Sequence, residues 1–332
     1  MAQSDAHDQL KAVLSEHLDW HGARTGFLAY FLLSILQVRT VNLAQVALGF
    51  GGKASEASSY KRLQRFFRGY GLDEAVWARL LVNLLPDKPQ RWLLSLDRTN
   101  WKFGRTDHNL LVLGLVYKGF CIPLFWRALD KAGNSNTQER QEVLQCFLDT
   151  FGAQRIEALL ADREFIGQAW FDWLRENAVP FHIRVKSNYL VPDDQQNLVQ
   201  AKRYFAALKV DQVRHRPLVQ ENGDAPLTLT ALRLENDWLL IVTCDAQPQQ
   251  ALEHYRQRWS IETLFGCLKS RGFNLEDTHL RHPERLSRLF ALLALVFVWA
   301  LRTGQIQQEK QPIPQKKRSN APLNPSSVMA SI

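Results

Sequence analysis

Residues 92–126 read WLLSLDRTNWKFGRTDHNLLVLGLVYKGFCIPLFW. Three apolar runs sit inside this stretch: Trp92 to Asp97, Leu110 to Tyr117 and Cys121 to Trp126. A Lys-Gly pair punctuates the second and third. Short apolar runs joined by such tight breaks predict three successive strands in an antiparallel meander.

The pattern continues on the C-terminal side. Asn136 to Thr150 has helical periodicity, and Ile156-Glu-Ala-Leu-Leu-Ala-Asp162 is another apolar run ending in Asp. Ile166 to Asn177 predicts a helix and Phe181 to Lys186 a further strand. Three strands, helix, strand, helix, strand is the order of a ribonuclease-H-like mixed sheet, an α/β fold. Residues 188–245 hold alternating runs, Leu227 to Leu234 and Trp238 to Thr243, that predict a β-rich insertion. Pro248 to Arg271 predicts one helix closed by Gly272, and Pro283 to Arg302 a second, mostly buried one. From Gln305 onward the chain is polar, basic and proline-punctuated, which predicts a disordered tail over 305–332.

Residues 1–88 read as helical. Asn42 to Leu48, a break at Gly49, Gly51 and Gly52, and a basic helix over Ser58 to Arg68 together resemble a helix-turn-helix. Lys61, Arg62, Arg65 and Arg68 are spaced to reach phosphates from one side. An ordinary helical bundle with a solvated basic face carries the same pattern. The organisation expected is therefore a helical DNA-binding region over 1–88, a core domain over 89–187 and 246–304, and the insertion over 188–245.

Composition sets the class. The chain has 332 residues, 46% of them apolar, which is ample for a substantial core. Lys and Arg number 41 against 33 acidic residues, a net charge of +8, so a polyanionic partner fits. Cys121, Cys146, Cys244 and Cys267 include no CxxC-type zinc pair, and they read as reduced thiols of a cytoplasmic protein. The first residues, MAQSDAHDQL, show no basic start followed by an apolar core, so no secretory signal is visible. The longest apolar run, Leu289 to Leu301, is short for a bilayer, and no membrane partner is expected.

The candidate chemistry comes from three acids. Asp97 and Asp162 each end an apolar run, and adjacent strand ends bring such carboxylates together. Two close carboxylates repel unless a cation lies between them. Mg2+ suits the position, being hard and oxygen-seeking; Mn2+ is not separable from it on these grounds. A third carboxylate from a helix packed on the sheet would complete a two-metal site, and Glu262 is the candidate. Counted from Tyr255, residues Arg258, Glu262 and Lys269 fall within an arc of about 60° at roughly 100° per residue, so all four share one face of a continuous helix.

Tyr255-x2-Arg258-x3-Glu262-x6-Lys269 resembles the Y-x2-R-x3-E-x6-K signature of bacterial insertion-sequence transposases of the Asp-Asp-Glu type. The surrounding HYRQRWSIETLFGCLKSRGFNLEDTHL, together with LLSLDRTNW and LLADREF, is similar to the same family, over roughly residues 90–300. The resemblance implies a cut-and-paste DNA transposase with endonuclease activity. It implies Asp97, Asp162 and Glu262 as catalytic, metal-binding residues, with Mg2+ or Mn2+ as cofactor. Tyr255, Arg258 and Lys269 then resemble residues that grip phosphates at the cleaved end. Trp259 and Trp238 resemble residues that stack on a flipped base, and Lys186 falls where relatives contact DNA. The partners implied are double-stranded DNA, as terminal inverted repeats and target, and a second copy of the chain in the DNA complex. The setting implied is the bacterial cytoplasm, on the nucleoid when bound. Arg163 and Glu164 complete the DRE text and could steady the loop or simply be exposed. Two other readings share these residues: a ribonuclease-H-like nuclease, and a catalytically silent DNA-binding relative.

Overall fold

The fold comes from a computed structural model that describes residues 2–50, 55–69, 71, 73–193, 195, 197–218, 227–244 and 247–310. Five helices come first: α1 (Ala2–His17), α2 (Gly22–Val38), α3 (Leu43–Leu48), α4 (Glu56–Gly69) and α5 (Glu74–Asn83). Asn42 accepts from the Ala44 N–H and so caps the start of α3. Gly51 and Gly52 of the expected break lie outside the described residues.

The meander follows as β1 (Trp92–Phe103), β2 (Thr106–Tyr117) and β3 (Phe120–Ala128). Lys118 and Gly119 form the two-residue turn between β2 and β3, with φ of 48° and 84°. Two positive φ values match the right-handed twist of the strands they join. Gly104, with φ of 60°, opens the other hairpin. That hairpin extends β1 well past Asp97, where the apolar run stops. Asn100 pairs with Asn109 and Phe103 with Thr106, so the ladder runs on through polar residues. Asp97 therefore sits inside a strand, not at its end.

Next come α6 (Thr137–Phe151), β4 (Ile156–Ala161), α7 (Gln168–Glu176) and β5 (Phe181–Val185). Asn136 and Glu139 form a reciprocal capping box at the start of α6. The region after β5 contributes β6 (Leu190–Pro192), β7 (Leu198–Gln200), a single helical turn α8 (Ala201–Tyr204), β8 (Val213–Leu218), β9 (Leu227–Arg233) and β10 (Trp238–Cys244). β6 and β7 pair with each other, while the remaining strands form one eight-stranded sheet in the order β3-β2-β1-β4-β5-β10-β9-β8. β4 runs parallel to β1 and β5, and every other pairing is antiparallel. The strands of the expected insertion thus continue the main sheet. β8 reads VRHRPL, half of it exposed, which is why no apolar alternation marks it as a strand.

The C-terminal helices differ from expectation. Pro248 to Arg271 is not one helix. It divides into α9 (Ala251–Arg256), a tight 3-10 turn over Gln257–Trp259, and α10 (Ser260–Leu268). α11 (Pro283–Lys310) runs past Arg302, so residues 305–310 are helical rather than part of a tail; residues 311–332 lie outside the described ones. By length and composition α11 could cross a bilayer, but two-thirds of its apolar window is buried against the rest of the fold. It packs on β3, α2 and α5. The Trp77 indole donates to the Ala291 carbonyl at 3.0 Å and the Trp126 indole to Ser287 Oγ at 2.8 Å. Both buried N–H groups are thereby satisfied.

Candidate active site

The parallel ladder between β1 and β4 sets the site. Its last registered pair is Leu96 with Ala161. The next residue on each strand is an aspartate, Asp97 and Asp162, so the two become neighbours just where pairing stops. Side chains alternate along a strand. Ser95 and Asp97 therefore face one side of the sheet, and Leu94, Leu96 and Arg98 the other. On the first side lies the segment from α9 to α10: Ser95 Oγ donates to the Arg258 carbonyl at 3.4 Å. Each aspartate also accepts a 2.7 Å hydrogen bond from the N–H of its successor, Arg98 or Arg163.

Arg258 occupies the centre. Its Nη1 lies 3.1 Å from Asp97 Oδ2, and its Nη2 lies 2.7 Å from Glu262 Oε1 and 4.0 Å from Asp162 Oδ2. Its side chain is only 5% exposed, against 17% for Asp97, 29% for Asp162 and 54% for Glu262. The structure thus brings the three acids together around one guanidinium. Burial works against the Arg258 charge, but Tyr255, Asp97, Glu262 and Asp162 outweigh it and hold its pKa above the ordinary value. Burial pushes the Asp97 carboxyl up to about 6, opposed by the Arg98 N–H and by Arg258 and assisted by Glu164 and Glu262.

Tyr255, buried on α9, points its hydroxyl at Asp162 Oδ1 at 3.4 Å. Burial pushes the phenol up to about 12, so it stays a neutral donor. Trp259 is 62% exposed and lies one residue beyond Arg258. Lys269 departs from the expected stripe. α10 ends at Leu268, and Lys269 leaves the helix with ψ of −128°. Its ammonium reaches the Asn100 carbonyl at 3.2 Å and Glu276 at 2.9 Å, 5.3 Å from the centre of the Trp101 ring. The face predicted for one unbroken helix is therefore divided, with Lys269 bound beside β1 instead of the acids.

The other candidates lie apart, and among the described residues none bonds to the three acids. Lys61, Arg62 and Arg65 are exposed on α4, whose inner face buries Leu63 and Phe67, and Arg62 stacks over Phe27 at 5.0 Å. Lys186 is exposed just after β5. Trp238 is half-buried at the start of β10, with the Arg233 guanidinium 4.5 Å from its ring centre.

On the opposite side of the sheet lies Glu164, which the sequence offered as a loop-steadying or exposed residue, with a partner the sequence did not single out. Arg98 forks onto Glu164, Nε to Oε1 and Nη2 to Oε2, both at 3.2 Å. It also donates to Asn109 Oδ1 at 3.2 Å and Asn134 Oδ1 at 3.1 Å. The signal available in the sequence was an Asp-Arg pair repeated at Asp97-Arg98 and Asp162-Arg163.

A family model described as a transposase DDE domain matches residues 88–299. The chain belongs to this transposase DDE domain family. Among solved structures, the transposase domain found here is similar to a piggyBac transposase in a synaptic complex with hairpin DNA, at 12% identity and a TM-score of 0.50. The match covers 98% of this chain and 76% of that one, and it shows a shared fold. An endonuclease V from Bacillus subtilis aligns at 11% identity over 73% of this chain and 96% of its own, but its TM-score of 0.26 carries no argument. No curated protein sequence matches the chain.

The DDE transposase family implies divalent metal, and the donor chemistry suits one. Three carboxylates present hard oxygens around a single cationic point. Among the described residues, however, no three acidic, His or Cys side chains already form a shell about an ion. The acids are arranged about Arg258, whose guanidinium supplies positive charge among them.

Proposed function

We propose that this chain is a bacterial insertion-sequence transposase that cuts the ends of its element and joins them to target DNA by two-metal phosphoryl transfer. The catalytic part would be a ribonuclease-H-like domain over 89–187 and 246–304. The helical region 1–88 would grip DNA, and the strands of 188–245 would widen the sheet beside the site. The supporting observation is that Asp97, Asp162 and Glu262, far apart in the chain, all lie within 4.0 Å of the Arg258 guanidinium.

Asp97, Asp162 and Glu262 would hold Mg2+ or Mn2+. When bound, such ions activate a water or 3′-hydroxyl nucleophile and stabilise the leaving oxygen. The chain's own residues do the rest. Arg258, freed from the acids, has the planar fork for a phosphate. Tyr255 donates one hydrogen bond beside Asp162. Trp259 offers an exposed ring on which a displaced base can stack. Lys269, Lys186, Lys61, Arg62 and Arg65 supply positive charge along the duplex, and Trp238 offers a second ring. The working form would be a homodimer on paired ends, in the cytoplasm and nucleoid-associated when bound.

The test uses duplexes carrying the inverted repeats that flank the gene. Purified chain with Mn2+ should nick these ends and transfer the 3′-hydroxyl strand into a target plasmid. Asp97→Ala, Asp162→Ala and Glu262→Ala should each abolish both steps while end binding persists. Nicking without strand transfer would favour a simple nuclease. Binding without either step would favour a silent relative.

A further inference from the structure

The registered ladder between β1 and β4 stops at Leu96 and Ala161, one residue short of both aspartates. Backbone pairing there does not hold Asp97 beside Asp162. Two like charges at that point tend to part. Arg258 bridges the two aspartates from the front of the sheet, and on the back the first cross-link beyond the ladder is also made by side chains. Arg98, directly after Asp97, forks onto Glu164, two residues after Asp162. Both side chains are largely buried, 12% and 25% exposed, so the pair is far less screened than a surface ion pair.

The pair is itself held from several directions. Asn109 and Asn134 accept two more of the guanidinium hydrogens, and the Asn109 amide donates to the Lys131 and Gly133 carbonyls. Arg140 of α6 donates to the Glu164 carbonyl at 3.0 Å and to the Ser135 carbonyl at 2.7 Å. The loop after β4 is also folded on itself, with the Phe165 N–H bonded to the Asp162 carbonyl. A planar fork fixes both distance and angle, which a single charge contact does not.

We propose that Arg98 and Glu164 are positioning residues for the reaction: their fork, on the back of the sheet, fixes the separation of the Asp97 and Asp162 carboxylates on its front. The proposal rests on the reading of those two aspartates as metal-binding. Neither Arg98 nor Glu164 touches the nucleic acid in this scheme. They act only through the carboxylates.

The experiment uses the full chain with a duplex bearing the element's end. Mn2+ affinity is measured by calorimetric titration, beside melting temperature, metal-free end binding and strand cleavage. Glu164→Gln keeps the shape and loses the charge; Arg98→Lys keeps the charge and loses the fork. Both should bind ends normally, bind Mn2+ roughly 10–100-fold more weakly, and recover much of their cleavage at high Mn2+, as loss of an outer supporting contact does. Folded variants with Mn2+ affinity within about twofold of wild type would overturn the proposal, because a merely structural pair would not move that readout. If both variants fail to fold, Asn134→Ala trims one support and leaves the ion pair, and the same criterion applies to it. Asp97→Asn is the control. If it binds Mn2+ as wild type does, the carboxylate reading fails and the clasp proposal falls with it; if only the clasp variants are unaffected, the clasp alone fails.

Discussion

Arg258 donates from Nη1 to Asp97 Oδ2 at 3.1 Å, and this contact ties the most buried acid of the site to a guanidinium that reaches all three carboxylates. The same guanidinium serves Glu262 and Asp162. Among the described residues, the charge balance of the three acids therefore depends on this side chain. Arg258→Ala should leave three carboxylates without that counterion. We expect a loss on the order of 3 kcal/mol of stability in metal-free buffer, as when one partner of a buried pair is removed. Added Mn2+ should restore more of the melting temperature in the variant than it adds to wild type. Equal metal-induced shifts in calorimetry would contradict the idea that guanidinium and metal compete for the same carboxylates.

Asp97 gives a pH prediction of defined sign. Burial raises its carboxyl from the ordinary 3.8 to about 6, so the folded chain holds this proton more tightly than the unfolded one. Its contribution to stability is fully present below an ordinary carboxyl pKa and is lost as pH rises through about 6. The shift corresponds to a difference on the order of 3 kcal/mol between acid and neutral pH. In metal-free buffer, Asp97→Asn should melt above wild type at about pH 7.5, and that advantage should shrink towards about pH 4. A difference that stays constant across this range in scanning calorimetry would show that the buried charge is not the cause.

Tyr255 is a neutral donor at every working pH, since its phenol is pushed up to about 12. Its bond to Asp162 is long, at 3.4 Å. Tyr255→Phe should therefore fold with a change of about 1 kcal/mol or less, as for the loss of one weak hydrogen bond. Strand cleavage should fall several-fold at most. A loss as complete as that of Asp162→Ala would assign the hydroxyl a direct part in the chemistry.

The two tryptophans should separate cleanly. Trp259 is 62% exposed, so Trp259→Ala should alter stability by about 0.5 kcal/mol or less. If its ring stacks on a base, the same change should weaken end binding or the base-displaced step by about 1–3 kcal/mol. Trp238 is half-buried beneath Arg233, and Trp238→Ala should lower the melting temperature. Fluorescence of a base analogue placed at the element's end would read the first effect. No change there on Trp259→Ala would remove its stacking role.

The sequence made the meeting of Asp97 with Asp162 legible because each closes an apolar run of similar length on strands that became parallel neighbours. It also made the α/β order legible, since β1 to β5 are strongly apolar. Other features were hidden for physical reasons. The far end of β1 alternates buried Thr99 and Trp101 with exposed Asn100 and Lys102, and its hairpin pairing with β2 carries it past the apolar run. β8 is an edge strand with arginines on it. The helix over 248–271 is interrupted by the 3-10 turn at Gln257–Trp259 and ends at Leu268, which its residue pattern did not mark. Arg258 turns to the acids and Lys269 to Asn100 and Glu276. The Arg98–Glu164 fork was invisible because it joins strand β1 to the loop after β4, a spacing no periodicity encodes.

α11 gives the molecule a mechanical character. The same helix lies against β3 and against α2 and α5, so the sheet and the N-terminal helices share one spine. A truncation after α5 would strip that spine of its cover and leave a long oily flank facing water. The sheet and the N-terminal helices thus do not separate cleanly. A push on the N-terminal helices would be felt at the sheet as leverage through a common beam.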